Sequence, residues 1–419
     1  MNLPRLRPVI KLPDYFKITV LSLGLAALSQ SSHAILLPLR VLDFAGETGK
    51  NTALAAVTFT GLVLAMLSQP VAAAFSDSTS SRWGRRKPYV MAGGVAVLVL
   101  LPGIGLAGSF AGLFLFYCLI QLAANTAQGP YQAYLPELVP LDRRGRASSF
   151  KALMELLGGA VGIFIIGRLM SDYATDNQSG VWNSLAVLSL IIATILGYLW
   201  LRLKETPTPG PLPPFRNPLL SYRFSLKDNP SFGWFLGSRL FVFMASATLQ
   251  TFALFYLRDV IGVENPAGSA AAFIIVAGVS MGLAIFPAGY LADRYGKIWL
   301  SQAAVVFGAG GVILLLLSPS SVTVMIAAGM TGYAIGTFSV ANWALATVLV
   351  LKGEEARYLA IANMATAGGA ALARLIGPAI DYFNRVEANL GYQIMLGACL
   401  LYFVLGGLLI KKTRTPASR

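Results

Sequence analysis

Three charged side chains, Glu155, Arg239 and Arg374, stand inside long apolar stretches of this chain. If those stretches lie in a bilayer, each charge costs roughly 2.5–3.5 kcal/mol to insert, so each is a functional candidate. A carboxylate in a partly dry cavity can take up a proton on one side of a membrane and release it on the other, which makes Glu155 the candidate for proton coupling. The alternative is a structural pair with Lys151, one turn earlier on the same helix, or with an arginine of another helix. Arg239 and Arg374 can grip a substrate carboxylate or phosphate through a bidentate fork, or pair with Glu155 and with backbone carbonyls. Two arginines against one acid leave a positive charge over, which favours an anionic or strongly hydrogen-bonding substrate. The run Ser29-Gln30-Ser31-Ser32-His33 adds hydroxyls, an amide and the chain's single histidine. Gln30 and His33 are therefore candidate ligands for a hydroxylated solute, although small polar residues also serve close helix packing. Asn342 beside Trp343 offers an amide and an indole face, a combination suited to stacking on a sugar, with ordinary interhelical contact as the alternative.

These residues need elements that can hold them in lipid. Of the 419 residues, 56% are hydrophobic and 12% charged, and mean hydropathy is +0.67. That is more apolar surface than a soluble core of this size can bury. Runs of about 20 apolar residues recur, the length that crosses about 30 Å of hydrocarbon as a helix. The expected spans lie near 18–40, 53–75, 88–108, 110–134, 149–170, 181–202, 232–257, 268–291, 298–317, 320–349, 358–380 and 391–410. Twelve helices put both termini on one side. On that side fall 25 of the 32 Lys and Arg, counting Lys151 at the start of the fifth span, against Arg40, Lys50, Arg168, Arg258 and Arg385 on the other. Positive residues stay inside, so both termini are expected in the cytoplasm and the net charge of +14 marks topology rather than a nucleic-acid partner. The first span follows Arg5, Arg7, Lys11 and Lys17 without a small-residue cleavage site, and it is retained as a membrane helix. Cys118 and Cys399 have no ligand spacing and are expected to pack.

Between Arg202 and Phe232 the chain is interrupted by Pro207, Pro209, Pro211, Pro213, Pro214 and Pro218, so 204–231 is expected to link two six-helix halves, 1–203 and 232–419. The halves repeat. Asp77 to Pro88, after the second span, corresponds to Asp293-Arg294-Tyr295-Gly296-Lys297 after the eighth, with Gly84 and Gly296 separated by 212 positions. Asn125 to Arg146 corresponds to Gly336 to Arg357 at an offset of 211, and Gly159 and Gly167 correspond to Gly369 and Gly377 at 210. In each short loop the glycine permits a sharp turn, while Asp77, Arg82, Arg85 and Arg86, or Asp293, Arg294 and Lys297, can pair with helix ends and neighbouring helices. Such pairs can hold one conformation shut. Their alternative role is to set topology alone.

The second loop resembles the signature loop of the major facilitator superfamily, which implies an all-α fold of two six-helix halves rocking around a central site. The first loop, with Gln69-Pro70 and Ser81-Arg82-Trp83-Gly84-Arg85-Arg86-Lys87-Pro88, is similar to that of sucrose carriers and the glycoside, pentoside and hexuronide symporters. So is Asn125-Thr126-Ala127-Gln128-Gly129-Pro130 in the fourth span. The resemblance implies transport of a sugar or glycoside, an organic anion being the variant, and adds Gln121, Asn125 and Gln128 to the candidate ligands. Sucrose carriers place an aspartate where Gln121 stands, and sodium-coupled relatives place acids where Ala65, Gln69 and Gln128 stand, so no sodium site carries over. The competing readings are an uncoupled facilitator or exporter, and a transport-inactive relative that assists assembly of another membrane complex. No phosphate loop, metal-ligand spacing or extramembrane domain points to an enzyme, a metal or a cofactor. The expected partners are a small-molecule substrate, protons and the lipid of the plasma or inner membrane, with the chain acting as a monomer.

Overall fold

The computed structural model describes residues 12–140, 143–173, 178–205, 229–349 and 355–414. Most of the expected linker, 206–228, lies outside the described residues, as do Arg5, Arg7 and Lys11. The described chain is helical. Its N-terminal set comprises α1 (Leu12–Ser31), α2 (Leu37–Asp77), α3 (Lys87–Leu100), α4 (Gly103–Leu106), α5 (Phe110–Gln132), α6 (Tyr134–Leu138), α7 (Arg144–Leu169) and α8 (Ser179–Arg202). Its C-terminal set comprises α9 (Pro230–Tyr256), α10 (Pro266–Tyr295), α11 (Lys297–Leu317), α12 (Ser321–Leu349), α13 (Glu355–Leu372), α14 (Gly377–Val386) and α15 (Leu390–Lys411).

Among the described residues, ten helices are long and apolar enough to cross a membrane. The first of these, 13–77, runs for 65 residues, about 97 Å of helix against about 30 Å of hydrocarbon. Gly46 breaks it, at φ 62° and ψ 178°, so the connection expected between the first two spans is a single glycine kink flanked by helix. The expected span 358–380 is not among the ten. It is interrupted: α13 ends in a 3-10 turn, Ala373–Ile376, before α14 begins with Gly377 and Pro378. Pro378 has no N–H to reach back to the carbonyl of Arg374, and the Gly377 amide takes that carbonyl in a tighter turn.

Alternating helices give the molecule two ends. The basic end holds Leu12, Arg414 and the 78–86 loop; the other end holds Gly46, Gly262 and the α14–α15 connection. Within the N-terminal set, α1 packs on α7 and α8 and α5 packs on α2 and α3; within the C-terminal set, α9 packs on α13 and α15 and α12 on α10 and α11. The two sets meet where α2 touches α14 and α7 touches α10. Glycine permits these approaches. A Cβ on Gly158 would lie 2.1 Å from the Leu23 carbonyl oxygen, and one on Gly369 would lie 2.4 Å from that of Leu240, so α7 on α1 and α13 on α9 are equivalent contacts. The sequence match had aligned Gly159 with Gly369, one residue away. Gly167 packs against Ala271, and Gly377 against the Asn51 carbonyl, at the two junctions between the sets. Large apolar side chains such as Phe286 and Leu317 point outward, 88% and 78% exposed, as a lipid-solvated protein requires.

Replacing Gly158 with leucine overpacks the α1–α7 contact, and the expected loss is about 1–3 kcal/mol, read as a lowered unfolding temperature in detergent. Gly278→Leu is the control, since a Cβ there meets nothing closer than 4.0 Å and stability should hold.

Candidate functional site

A polar cavity of about 170 Å³ lies among α1, α2 and α5. From α5 it receives Tyr117, Gln121, Asn125 and Gln128, spaced to fall on one face of the helix. From α1 it receives Ser29 and, at the following turn, Ser32 and His33. That turn, Ser32–Leu36, is π-helical: the Leu37 amide bonds to the Ser32 carbonyl because Pro38 has no N–H for the normal ladder. The bulge turns His33 toward α5, where its Nε2 hydrogen-bonds the Tyr117 hydroxyl. Gln121 donates to the same hydroxyl at 3.0 Å, whereas the Asn125 amide nitrogen is taken up by the Gln121 backbone carbonyl at 2.8 Å. Ala65 also lines this space. Of the positions where the sequence comparison expected acids in coupled relatives, Ala65, Gln121 and Gln128 line this cavity with a methyl group or amides, and Gln69 does not line it.

The two buried arginines separate. Arg374, 7% exposed, sits in the 3-10 turn with one Nη on its own helix at the Ala370 carbonyl and its Nε without a partner. It comes within electrostatic range of His33 and Tyr117. Arg239, 6% exposed, donates to the Ala362 carbonyl (3.1 Å), Thr366 (2.7 Å) and the Asn342 side-chain oxygen (2.6 Å), and its guanidinium lies over Phe243 and Trp343. Asn342 thus holds the arginine, and the expected amide-and-indole sugar pair becomes an arginine-positioning group that lines neither cavity described here. Among the described residues neither arginine pairs with Glu155 or with any other acid.

Glu155 and Gln30 instead line a second, larger cavity of about 540 Å³ between α7 and α10, bounded also by α9 and α12. Glu155 accepts from Lys151 at 2.5 Å, and its side chain is 39% exposed. The structural pair is the arrangement observed, and it occupies the acid within the cavity wall.

Sequence reasoning passed over a charged cluster at the end opposite the termini. Asp381 of α14, 3% exposed, accepts four hydrogen bonds from the other set: Asn51 through its amide nitrogens (backbone 3.3 Å, side chain 2.8 Å) and Thr52 through backbone N–H (2.7 Å) and hydroxyl (2.6 Å). The backbone amides lie five and six residues past the Gly46 kink, so an acid of one set bonds the main chain of a helix of the other. Lys50 bridges Glu47 and Asp259, each at 2.6 Å, above the Phe255 ring, and Arg258 grips both oxygens of Glu47. Tyr392 donates to Asp259, and Arg385 to the Thr48 carbonyl. Lys50, Arg258 and Arg385 had entered the sequence reading only as charges on one side. Asp381 lay one residue past the expected end of its span.

At the basic end the loop after α2 is tied within its own set. Arg86, 3% exposed, bonds Asp77 and Glu137, and Arg85 also bonds Glu137 at 2.7 Å. Glu205 caps α3 at the amides of Arg86 and Lys87. It leaves no room for a side chain at Gly84, whose φ is 92°. Arg82 stacks on Trp83. The related loop turns at Gly296, φ 95°, but among the described residues Asp293 and Lys297 form no ion pair, and Arg294 contacts only Tyr290 and Tyr295. Among the described residues the two expected gating loops differ, since no acid is seen beside the second in the place of Glu137 and Glu205.

The family described as MFS/sugar transport protein matches residues 48–406. An uncharacterized symporter of Synechocystis is 29% identical over 164 residues, covering 36% of this chain and 30% of that protein. The human proton-associated sugar transporter A is 30% identical over 155 residues (33% and 20%), and a sucrose transport protein of Arabidopsis thaliana is 29% identical over 126 (25% of each). The chain thus spans less than a third of the length of these relatives. Among solved structures, an inward-facing bacterial homolog of the human lysosomal transporter Spinster has a TM-score of 0.74 at 16% identity, covering 96% of this chain and 97% of that one. The nucleoside transporter NupG has 0.72 at 13%, covering 95% and 99%. These two likenesses show the fold.

Asp381→Ala removes an acid that holds four donors. With a loss of about 3 kcal/mol for the buried hydrogen bonds to this acid, amide exchange at Asn51 and Thr52 should quicken about a hundredfold. The hydrogen bond from Arg258, aided by Lys50, holds the Glu47 carboxyl down at about 2 against an ordinary 4.5. Its contribution to closure is complete above about 4.5 and fades as pH falls toward about 2. Spin labels placed across this end should therefore separate on acidification, less so in Glu47→Gln.

Proposed function

Because the chain belongs to the MFS/sugar transport protein family, we propose that it is a secondary transporter that moves a sugar or glycoside across its membrane by alternating access. One observation carries this reading: two cavities lie among the helices, and at one end the two sets are tied by polar contacts, Asp381 with Asn51 and Thr52 and Arg258 with Glu47, that water can replace without unfolding either set. The sugar-transporting relatives support the substrate class. Counting 13–77 as two crossings and adding the interrupted helix 355–386 to the ten gives twelve, in halves 1–203 and 232–419 joined by 204–231. The excess of Lys and Arg at the basic end assigns it to the cytoplasm. The closed end then faces outward, and the structure is the inward-facing state.

In this reading Tyr117, Gln121, His33, Gln128 and Asn125 receive sugar hydroxyls, and Arg374 lies at the seam between the halves beside Tyr117. Glu155 is the acid in the cavity wall at which a proton is carried, released from Lys151 as the cavity changes sides. The amides at Gln121 and Gln128 favour a second reading, an uncoupled facilitator.

Purified protein in proteoliposomes should accumulate labelled sucrose or methyl glucoside under an inward proton gradient. Tyr117→Phe and Gln121→Ala each remove a hydrogen bond to the solute and should weaken uptake about tenfold. Glu155→Gln should abolish accumulation and keep sugar counterflow; equilibration without accumulation in the unmodified protein would establish the facilitator, and no flux of either sugar would refute the proposal.

A further inference from the structure

The outward surfaces of α7 and α10 both run into the larger cavity. Leu153, Leu157 and Val161 form an exposed stripe on α7, and Val279, Leu283 and Phe286 one on α10, each at the spacing of a helix face. Leu157 and Val279 also line the cavity, so its wall between these helices is continuous with the apolar surface that lipid covers. The two helices are not equally close along their length. Ala271, Gly278, Gly282 and Gly289 repeat on one face of α10. A Cβ on Gly167 of α7 would lie 2.8 Å from that of Ala271, and a Cβ on Gly278 would lie 4.0 Å from Leu156. Around a Cβ on Gly282 or Gly289 no atom comes within 4 Å. The helices therefore meet toward the Gly46 end and part toward the basic end. Each stripe also finishes at the basic end in an exposed arginine, Arg146 eleven residues before Leu157 and Arg294 eleven after Leu283, in each case three turns along the same face. Arg294 donates to the Tyr290 hydroxyl and stacks on Tyr295, and among the described residues neither arginine pairs with an acid.

Two cations above an apolar gap between helices are complementary to a phosphate ester that carries a hydrocarbon chain. We propose that an anionic phospholipid of the leaflet at the basic end binds between α7 and α10, with its phosphate between Arg146 and Arg294 and one acyl chain in the gap. From Arg146 to Leu157 is about 16 Å of helix, and half of the hydrocarbon is about 15 Å thick, so one chain reaches the cavity edge at Leu157 and Val279. The chain supplies the wall that the parted helices leave open on that side of the larger cavity. A soluble anion would use the arginines and leave the apolar gap uncovered. A zwitterionic lipid brings its own cation to the arginines and gains less from them. The site is separate from the polar cavity of α1, α2 and α5, and it depends on the membrane rather than on which solute is moved.

The test uses two photoreactive lipids, phosphatidylglycerol and phosphatidylcholine, each with a diazirine near the end of one acyl chain. Each is added at the same low amount to proteoliposomes of plain phosphatidylcholine, photolysed, and the labelled peptides are mapped. The phosphatidylglycerol probe should label the segments around Leu157 and Val279 at least about tenfold more than the phosphatidylcholine probe, as two arginines beside the headgroup predict. Arg146→Gln combined with Arg294→Gln should bring the two probes level. Arg146→Lys combined with Arg294→Lys keeps the charges and should keep the preference; both pairs change only exposed side chains, so the fold is retained. Gly282→Leu puts a side chain into the gap without meeting backbone and should cut labelling at Val279 about tenfold. Excess inorganic phosphate should change nothing. Equal labelling by both probes in the unmodified protein, or a preference that survives the glutamine pair, would overturn the proposal. So would labelling indifferent to Gly282→Leu, or labelling lost to free phosphate, which would mark a site for a soluble anion.

Discussion

A carboxyl group is held away from water only where enough donors surround it, and the structure turns on one such group. Asp381 is almost fully buried, and every donor it uses belongs to the opposite set of helices. Two of those donors are backbone amides in the helical stretch that follows the Gly46 kink. The arrangement satisfies both partners only when α2 and α14 are together. Because the acid and the amides are small and the neighbouring ion pairs are partly hydrated, water can replace each contact when the end opens. That property separates a gate from a core: the packing of α7 on α1 or α13 on α9, through glycine and backbone, has no comparable substitute.

Helix irregularity follows from proline and coincides with the chemistry. Pro38 forces the π turn that carries His33, and Pro378 forces the 3-10 turn that carries Arg374. Each turn re-aims a polar side chain that a regular helix would direct elsewhere, and the two residues come into electrostatic range across the seam between the sets. The basic-end loop works differently. Its arginines close on Glu137 and its backbone amides on Glu205, both of their own set, so it braces that set, and among the described residues it makes no ion pair with the other set.

Much of this was legible in the sequence. Apolar runs and charge asymmetry pointed to the helical class, and the duplicated glycines to a repeat. Gln121, Asn125 and Gln128 pointed to a cavity-facing stripe, and the same period reaches Tyr117, which an apolar neighbourhood had hidden. Two kinds of residue were illegible. Asn342 and Trp343 read as ligands, yet Asn342 holds Arg239, since residue type cannot say whether an amide's partner is solute or protein. Asp381, Lys50 and Asp259 read as loop charges because their partners lie hundreds of positions away or on another set, and nothing local marks such pairing.

The central claim is that the Asp381 end is a gate that opens when the solute is handled. Spin labels at Ala111→Cys and Ala388→Cys, on opposite sets near that end, report the distance across it in proteoliposomes. The account predicts one short distance in the resting protein and a second, longer population when a transported sugar and a proton gradient are supplied. A single unchanged distance under conditions where sugar is moving would contradict it.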